Sequence, residues 1–148
     1  MRLAGPLLPL LLLAACGGER PRPGPLDPLQ PADLTVRVLT PASGESVLGG
    51  RDVIVTVEAR DRLGAGLLGV GLVVRRPQPA LTVDSQAVRF AGRADSTHVF
   101  EFTVPDSFPT NTQLDLRGIA FGAGTSTRAS EIRSVVVIQC TPDIPICR

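Results

Sequence analysis

From Leu34 onward, apolar and polar residues alternate with a period of two, and turn residues interrupt the alternation at steady intervals. Leu34, Val36 and Val38 alternate with Thr35 and Arg37 until Pro41 ends the run. Val53, Val55, Val57 and Ala59 alternate with Thr56, Glu58 and Arg60, and Leu68, Val70, Leu72 and Val74 alternate with Gly69, Gly71 and Val73. Weaker strands are predicted over 81–83 and 86–90. His98, Phe100, Phe102 and Val104 share one phase. Leu114 and Leu116 lead to Ile119 and Phe121, a change of phase that a bulge at Gly118 would absorb. In the last series Ile132, Ser134, Val136 and Ile138 lie opposite Arg133, Val135 and Val137. No window of helical length carries an i, i+3, i+4, i+7 stripe. About seven short strands, with Gly, Pro, Asp and Ser between them, predict an all-β chain: one antiparallel β-sandwich over residues 34–140, followed by a tail at 141–148.

The first 33 residues have another pattern. Arg2 precedes an apolar run at 3–13 in which Leu holds seven of eleven positions. As a helix this run is only ~16 Å long, against ~30 Å of bilayer hydrocarbon, and Pro6 and Pro9 weaken it further. It has the layout of a secretory signal: a positive start, a short apolar core and small residues at its end. The tetrad Leu13-Ala14-Ala15-Cys16 closes the run and resembles the lipobox of bacterial lipoproteins. That resemblance implies a signal peptide at 1–15, cleavage between Ala15 and Cys16, and acylation of Cys16, whose thiolate is a strong nucleophile. One acyl chain anchors only marginally, whereas several hold firmly. The chain is thereby expected in the cell envelope. With Gly17-Gly18 rather than Asp after Cys16, it is expected on the outer membrane, at its periplasmic or surface face, if the host has one. The other reading is a secreted protein cut at an A-x-A-like site, with Cys16 incidental. Residues 16–33 hold Pro21, Pro23, Pro25, Pro28 and Pro31. As extended polyproline-type chain at ~3.1 Å per residue they form a tether that reaches roughly 50 Å.

Export changes the reading of charge and cysteine. Loss of Arg2 brings the fifteen basic residues, all arginine, level with the fourteen acids, so a nucleic-acid partner is not expected. Trp and Tyr are absent, which argues against an aromatic carbohydrate platform. With Cys16 assigned to lipid, Cys140 and Cys147 remain, and an oxidising compartment permits a disulfide between them. The alternatives are free thiols, or a metal that would need ligands beyond these two. The short loop and its two prolines limit the gain from a disulfide to ~2.5 kcal/mol.

A second resemblance covers 34–140. Val36-Arg-Val-Leu-Thr-Pro-Ala-Ser-Gly-Glu-Ser-Val47 is similar to the first strand and turn of bacterial immunoglobulin-like domains. Val53-Ile-Val-Thr-Val-Glu-Ala-Arg-Asp61, Gly64-Ala-Gly66 and Val70-Gly-Leu-Val-Val74 fit the family's second strand, turn and third strand. Ile119-Ala-Phe-Gly-Ala-Gly124 and Ser134-Val-Val-Val-Ile138 fit its last hairpin. The core Trp, corner Tyr and inter-sheet cysteine pair of antibody domains are missing. The resemblance implies an Ig-like or fibronectin-like sandwich and an adhesive or appended module.

Motifs with catalytic meaning fare poorly. Gly64-Ala-Gly66-Leu-Leu-Gly69 matches G-x-G-x-x-G, yet the residues after it are β-rich, and a dinucleotide site needs a helix there. Gly44-Glu-Ser46-Val-Leu48 begins like a nucleophile elbow but lacks the closing glycine. The run Asp95-Ser96-Thr97-His98 holds triad residue types in adjacent positions, but adjacent strand residues point to opposite faces, so the run is not a triad geometry. Asp61, Asp95 and Asp106 could serve calcium, which wants six to eight converging oxygens; backbone-capping turn acids explain them as well. The expectation is therefore a non-enzymatic, lipid-anchored interaction or scaffold module with no cofactor and no metal, contacting an envelope protein. The alternative is a ligand- or polysaccharide-binding accessory module for an envelope enzyme or transporter. A flat apolar strip of Ile54, Val73, Val99, Val135 and Val137 would favour a protein partner. A concave polar pocket would favour the accessory module.

Overall fold

The computed structural model describes residues 32–64 and 66–140, with nothing stated for the Thr125 side chain. The predicted signal peptide and nearly all of the tether, with Ala15, Cys16 and Cys147, lie outside the described residues. The described chain holds nine strands: β1 (Leu34–Thr40), β2 (Ser46–Leu48), β3 (Asp52–Asp61), β4 (Leu67–Arg76), β5 (Leu81–Arg93), β6 (Asp95–Thr103), β7 (Gln113–Gly122), β8 (Thr127–Ala129) and β9 (Arg133–Ile138). One 3-10 turn, Ala123–Thr125, precedes β8.

Two sheets face each other. The smaller runs β1-β3-β6; the larger runs β2-β9-β7-β4-β5, with β8 also on β7. Among the described strands, only β2 and β9 pair in parallel. In immunoglobulin lettering the order is A-B-E against A′-G-F-C-C′, so the sandwich has Ig-like topology. The core lies between the sheets, where Val55, Val57, Val70, Val74, Leu72, Leu114, Leu116 and Phe100 interdigitate. These are the inward positions of alternating strands, and their burial is the main force holding the sheets together.

Four details depart from the sequence reading. The two weak strands at 81–83 and 86–90 are one continuous strand, β5. Asp84, between the two, stays in the ladder opposite Val74, and its carboxylate accepts from the Ser85 amide at 2.7 Å. On β4 a register irregularity between Leu67 and Gly69 puts Leu67 inward and leaves Leu68 half-buried. The predicted bulge at Gly118 does not form. Pairing with β4 runs through Gly118 without a shift, and Gly118, Ala120 and Gly122 continue the inward phase of Leu114 and Leu116. Small residues are required there because the sheets approach closely. A Cβ on Gly118 would lie 2.8 Å from Val57 Cγ1 and 3.1 Å from Val36 Cγ2. Finally, β9 takes the opposite phase: Val135 and Val137 are buried, and Val136 and Ile138 are half-buried. Both phases of β9 are apolar, so periodicity alone could not choose between them.

Neighbouring strands share the other edge of β7. β9 pairs with it over 113–116 and β8 over 119–121. Ser130 fills the seam: its amide donates to the Gly118 carbonyl at 2.9 Å, and its Oγ accepts from the Gly118 amide at 3.0 Å. The handover turns Ala129 and Ile132 toward the outer side of the larger sheet.

Candidate functional site

On that outer side, β4 presents Val73 and Arg75, and β7 presents Asp115, Arg117, Ile119 and Phe121. The register sets Arg75 opposite Asp115 and Val73 opposite Arg117. Ile119 lies between Gly71 on β4 and Ala129 on β8. The Phe121 ring lies over the glycines of β4: a Cβ on Gly71 would be 3.3 Å from its Cε2. That ring fills the space over Gly71, and the hollow lies on the other side of Ile119, over the small Ala129. One wall is the turn between β4 and β5, with Pro77 and Ala80; the other is Ile132, 51% exposed, between β8 and β9. Together with Val73, these residues enclose a cavity of about 470 Å³.

Three arginines, Arg75, Arg76 and Arg117, and one acid, Asp115, are among the residues that line this cavity. Asp115 Oδ1 is already engaged, accepting from Gln113 Nε2 at 2.7 Å and from Ser134 Oγ at 2.8 Å. Arg76 is held in place: its Nε donates to the Pro79 carbonyl at 3.2 Å, and its guanidinium sits 4.9 Å from the Phe108 ring centroid. The ion pairs found among the described residues both fall on Glu58, in the other sheet, so Arg75 and Arg117 have no acid partner there. The hollow thus combines an apolar floor with excess positive charge.

The outer face of the smaller sheet is organised differently. Glu58 accepts from Arg37 Nη2 and Arg60 Nη2, each at 2.8 Å. Those hydrogen bonds, Arg60's the stronger, hold the Glu58 carboxyl below its ordinary value of 4.5. Thr40 Oγ1 donates to Thr56 Oγ1 at 2.9 Å, and Thr103 Oγ1 donates to Asp52 Oδ1 at 2.6 Å. Polar groups on this face are largely paired across strands.

The strip of five apolar residues does not exist. Val135 and Val137 are in the core, Ile54 (62% exposed) and Val99 (57%) lie on the smaller sheet, and Val73 lies on the opposite face of the sandwich. Asp61, Asp95 and Asp106 do not converge. Asp61 is a buried capping acid rather than a solvated one: it accepts from the amides of Asp33 (3.0 Å), Leu63 (3.1 Å) and Gly66 (2.8 Å). Asp95 is exposed opposite Arg60, and Asp106 is an exposed loop acid. Among the described residues no three His, Cys, Asp or Glu side chains group as metal ligands. His98 is half-buried opposite Val57, edge-on to Phe100 at 4.7 Å, while Ser46 starts β2 in the other sheet. Gly64 and Gly66 belong to the turn into β4, where a Cβ on Gly66 would strike Asp61 Oδ2. Cys140 ends the described chain and is engaged in a contact rather than standing as a free thiol; its expected partner, Cys147, lies outside the described residues.

The cavity is invisible to sequence reasoning. Arg75 and Arg117 are legible as outward strand residues, but nothing local says that β4 and β7 are neighbours. Periodicity assigns Ile132 to the last strand, whereas it stands exposed before β9.

No protein-family profile matches the chain, and none of the curated proteins is similar to it in sequence. Solved structures similar in shape include the fibronectin(III)-like modules of Clostridium thermocellum CbhA, at 13% identity over 71% of this chain and 96% of that one, TM-score 0.46. The CARDB domain of the Pyrococcus furiosus PF1109 protein, solved with di-metal ions, is 12% identical over 74% and 90%, TM-score 0.47. A β-glucosidase from Listeria innocua, solved with isofagomine, is 10% identical over 74% of this chain and 16% of its own, TM-score 0.45.

Proposed function

We propose that this chain is a lipid-anchored envelope protein whose Ig-like sandwich works without catalysis, by binding. The tetrad ending in Cys16 carries the reading, because a Pro-rich stretch separates it from the first strand at Leu34. Cleavage after Ala15 and acylation of Cys16 would tether the domain to the membrane, the outer one where the host has two. A disulfide between Cys140 and Cys147 would pin the tail. Intact mass of the chain recovered from its host tests both. Acyl mass on a chain beginning at Cys16, two hydrogens short of the reduced form, is expected. Cys16→Ala should leave the membrane fraction and lose the acyl mass. Retention in membranes at unmodified mass would end the anchor reading.

Two binding modes divide this reading. The first is contact with an envelope protein. The second, a ligand-binding accessory module, is favoured by a concave cavity, which differs from the expected polar pocket in having an apolar floor with arginines among its lining residues; the flat apolar strip that would favour a protein partner does not exist.

A further inference from the structure

We infer that the hollow on the outer face of the larger sheet binds a small amphiphilic anion: a phosphate or carboxylate group on a short aliphatic body. The inference rests on the ligand-binding reading above and adds the chemical class of the ligand. At about 470 Å³ the cavity falls within the range of ~300–1,000 Å³ that small-molecule sites occupy.

Its two halves call for different chemistry. Val73, Ile119, Ala129 and Ile132 offer an apolar surface that a hydrocarbon would cover. Arg75 and Arg117 line the same space and form no ion pair among the described residues, while the Arg76 guanidinium, on the same rim, is turned to the Pro79 carbonyl and the Phe108 ring. Asp115 cannot neutralise three guanidiniums, and its Oδ1 is turned toward Gln113 and Ser134. Planar guanidiniums match the oxygens of phosphate and carboxylate in paired hydrogen bonds. A neutral hydrocarbon would leave those donors unused, and a bare inorganic anion would leave the apolar floor wet. Only a molecule with both parts satisfies both surfaces.

The site forms because of the close packing behind it. Ala129, beside the Ser130 seam, is the small neighbour of Ile119 on the β8 side, and the cavity lies between these residues, the turn at 76–80 and Ile132. A larger side chain at Ala129 would fill the space.

Binding of radiolabelled hexyl phosphate to the full chain, held in phosphatidylcholine nanodiscs and compared with empty discs, tests the inference. Hexanol and inorganic phosphate serve as competitors. Saturable binding is expected, with each competitor at least about tenfold weaker, since hydrogen bonds to charged groups and apolar burial each contribute. Arg75→Ala and Arg117→Ala should each weaken binding by about tenfold or more. Ala129→Leu should abolish it, and Arg128→Ala, outside this cavity, should leave it unchanged. If hexanol competes as well as hexyl phosphate and the arginine variants bind normally, the anionic class is wrong while the ligand-binding reading stands. If neither hexyl phosphate nor hexanol binds saturably, both fall.

Discussion

The two outer faces of this sandwich are built on the same core from the same strand chemistry, yet one is closed on itself and the other is not. On the smaller sheet Glu58 holds both Arg37 and Arg60 in ion pairs, with one positive charge left over, and threonine hydroxyls pair with Thr56 and Asp52. The exposed apolar groups of this face, Leu39, Ile54 and Val99, stand among polar ones, and a separate hollow at its edge is lined by Thr35, Arg37, Arg128 and Arg133. On the larger sheet the arginines have no acid partner among the described residues and surround a hollow. The difference comes from where small residues fall. Ala129 stands beside Ile119, whereas β1, β3 and β6 carry Thr, Glu and Arg at outward positions. A sheet surface becomes a candidate site when its charges are left without partners and its relief is concave, not because it is more polar.

The comparison can be broken first through the shared core. Leu72 is buried on β4 between Gly118 of β7 and Gln86 of β5. Leu72→Ala should cost about 2–5 kcal/mol in urea unfolding and remove both faces together. A smaller effect, confined to one face, is expected from Ser130→Ala. It strands the Gly118 amide at the seam between β8 and β9, which should cost about 1–3 kcal/mol and loosen the Ile132 wall of the cavity. Amide exchange should then rise in β8 before it rises in β3.

The smallest effects separate the faces most cleanly. Glu58→Gln should destabilise by less than about 1 kcal/mol, because its ion pairs are exposed. Its folded pKa is lowered from 4.5, so the charged form stabilises the fold. That contribution is fully present above the unfolded value and is lost as pH falls through the folded one. The gap between wild type and Glu58→Gln should therefore be constant from neutral pH down to about 4.5 and close below it. Arg117→Ala should change stability by no more than about 0.5 kcal/mol while changing what the cavity holds. A large loss of stability in Arg117→Ala would show that this arginine has a structural partner and would erase the contrast.

Much of the sandwich is legible in the chain. The runs that form β1, β3 and β6 alternate cleanly, because each has one buried and one solvated face. Where the alternation blurs, periodicity misleads for identifiable reasons. β9 is apolar on both phases from Val135 to Ile138, with Val135 and Val137 in the core and Val136 and Ile138 half-buried on the other side. β2 and β8 are three residues each, too short to show a period. At Gly118 the missing side chain looks like a break in phase. The structure shows it as an inward position with no room for a Cβ.

The candidate site is far less legible than the fold. Alternation along one strand is a local property, set by each residue's own preference for core or water, so it can be read from the chain alone. So can the apolar run, the tetrad at Cys16 and the Pro-rich stretch, whose chemistry needs no partner from elsewhere in the fold. A cavity is not local. Arg75 meets Arg117, and Ile119 meets Ala129 and Ile132, only because β4, β7 and β8 pair in one register, and loop closure between distant segments leaves no mark in local sequence. The register that joins the strands also decides which charges find partners. Strand pairing therefore left Glu58 with two cations and the hollow with three cations around a single acid that is already engaged.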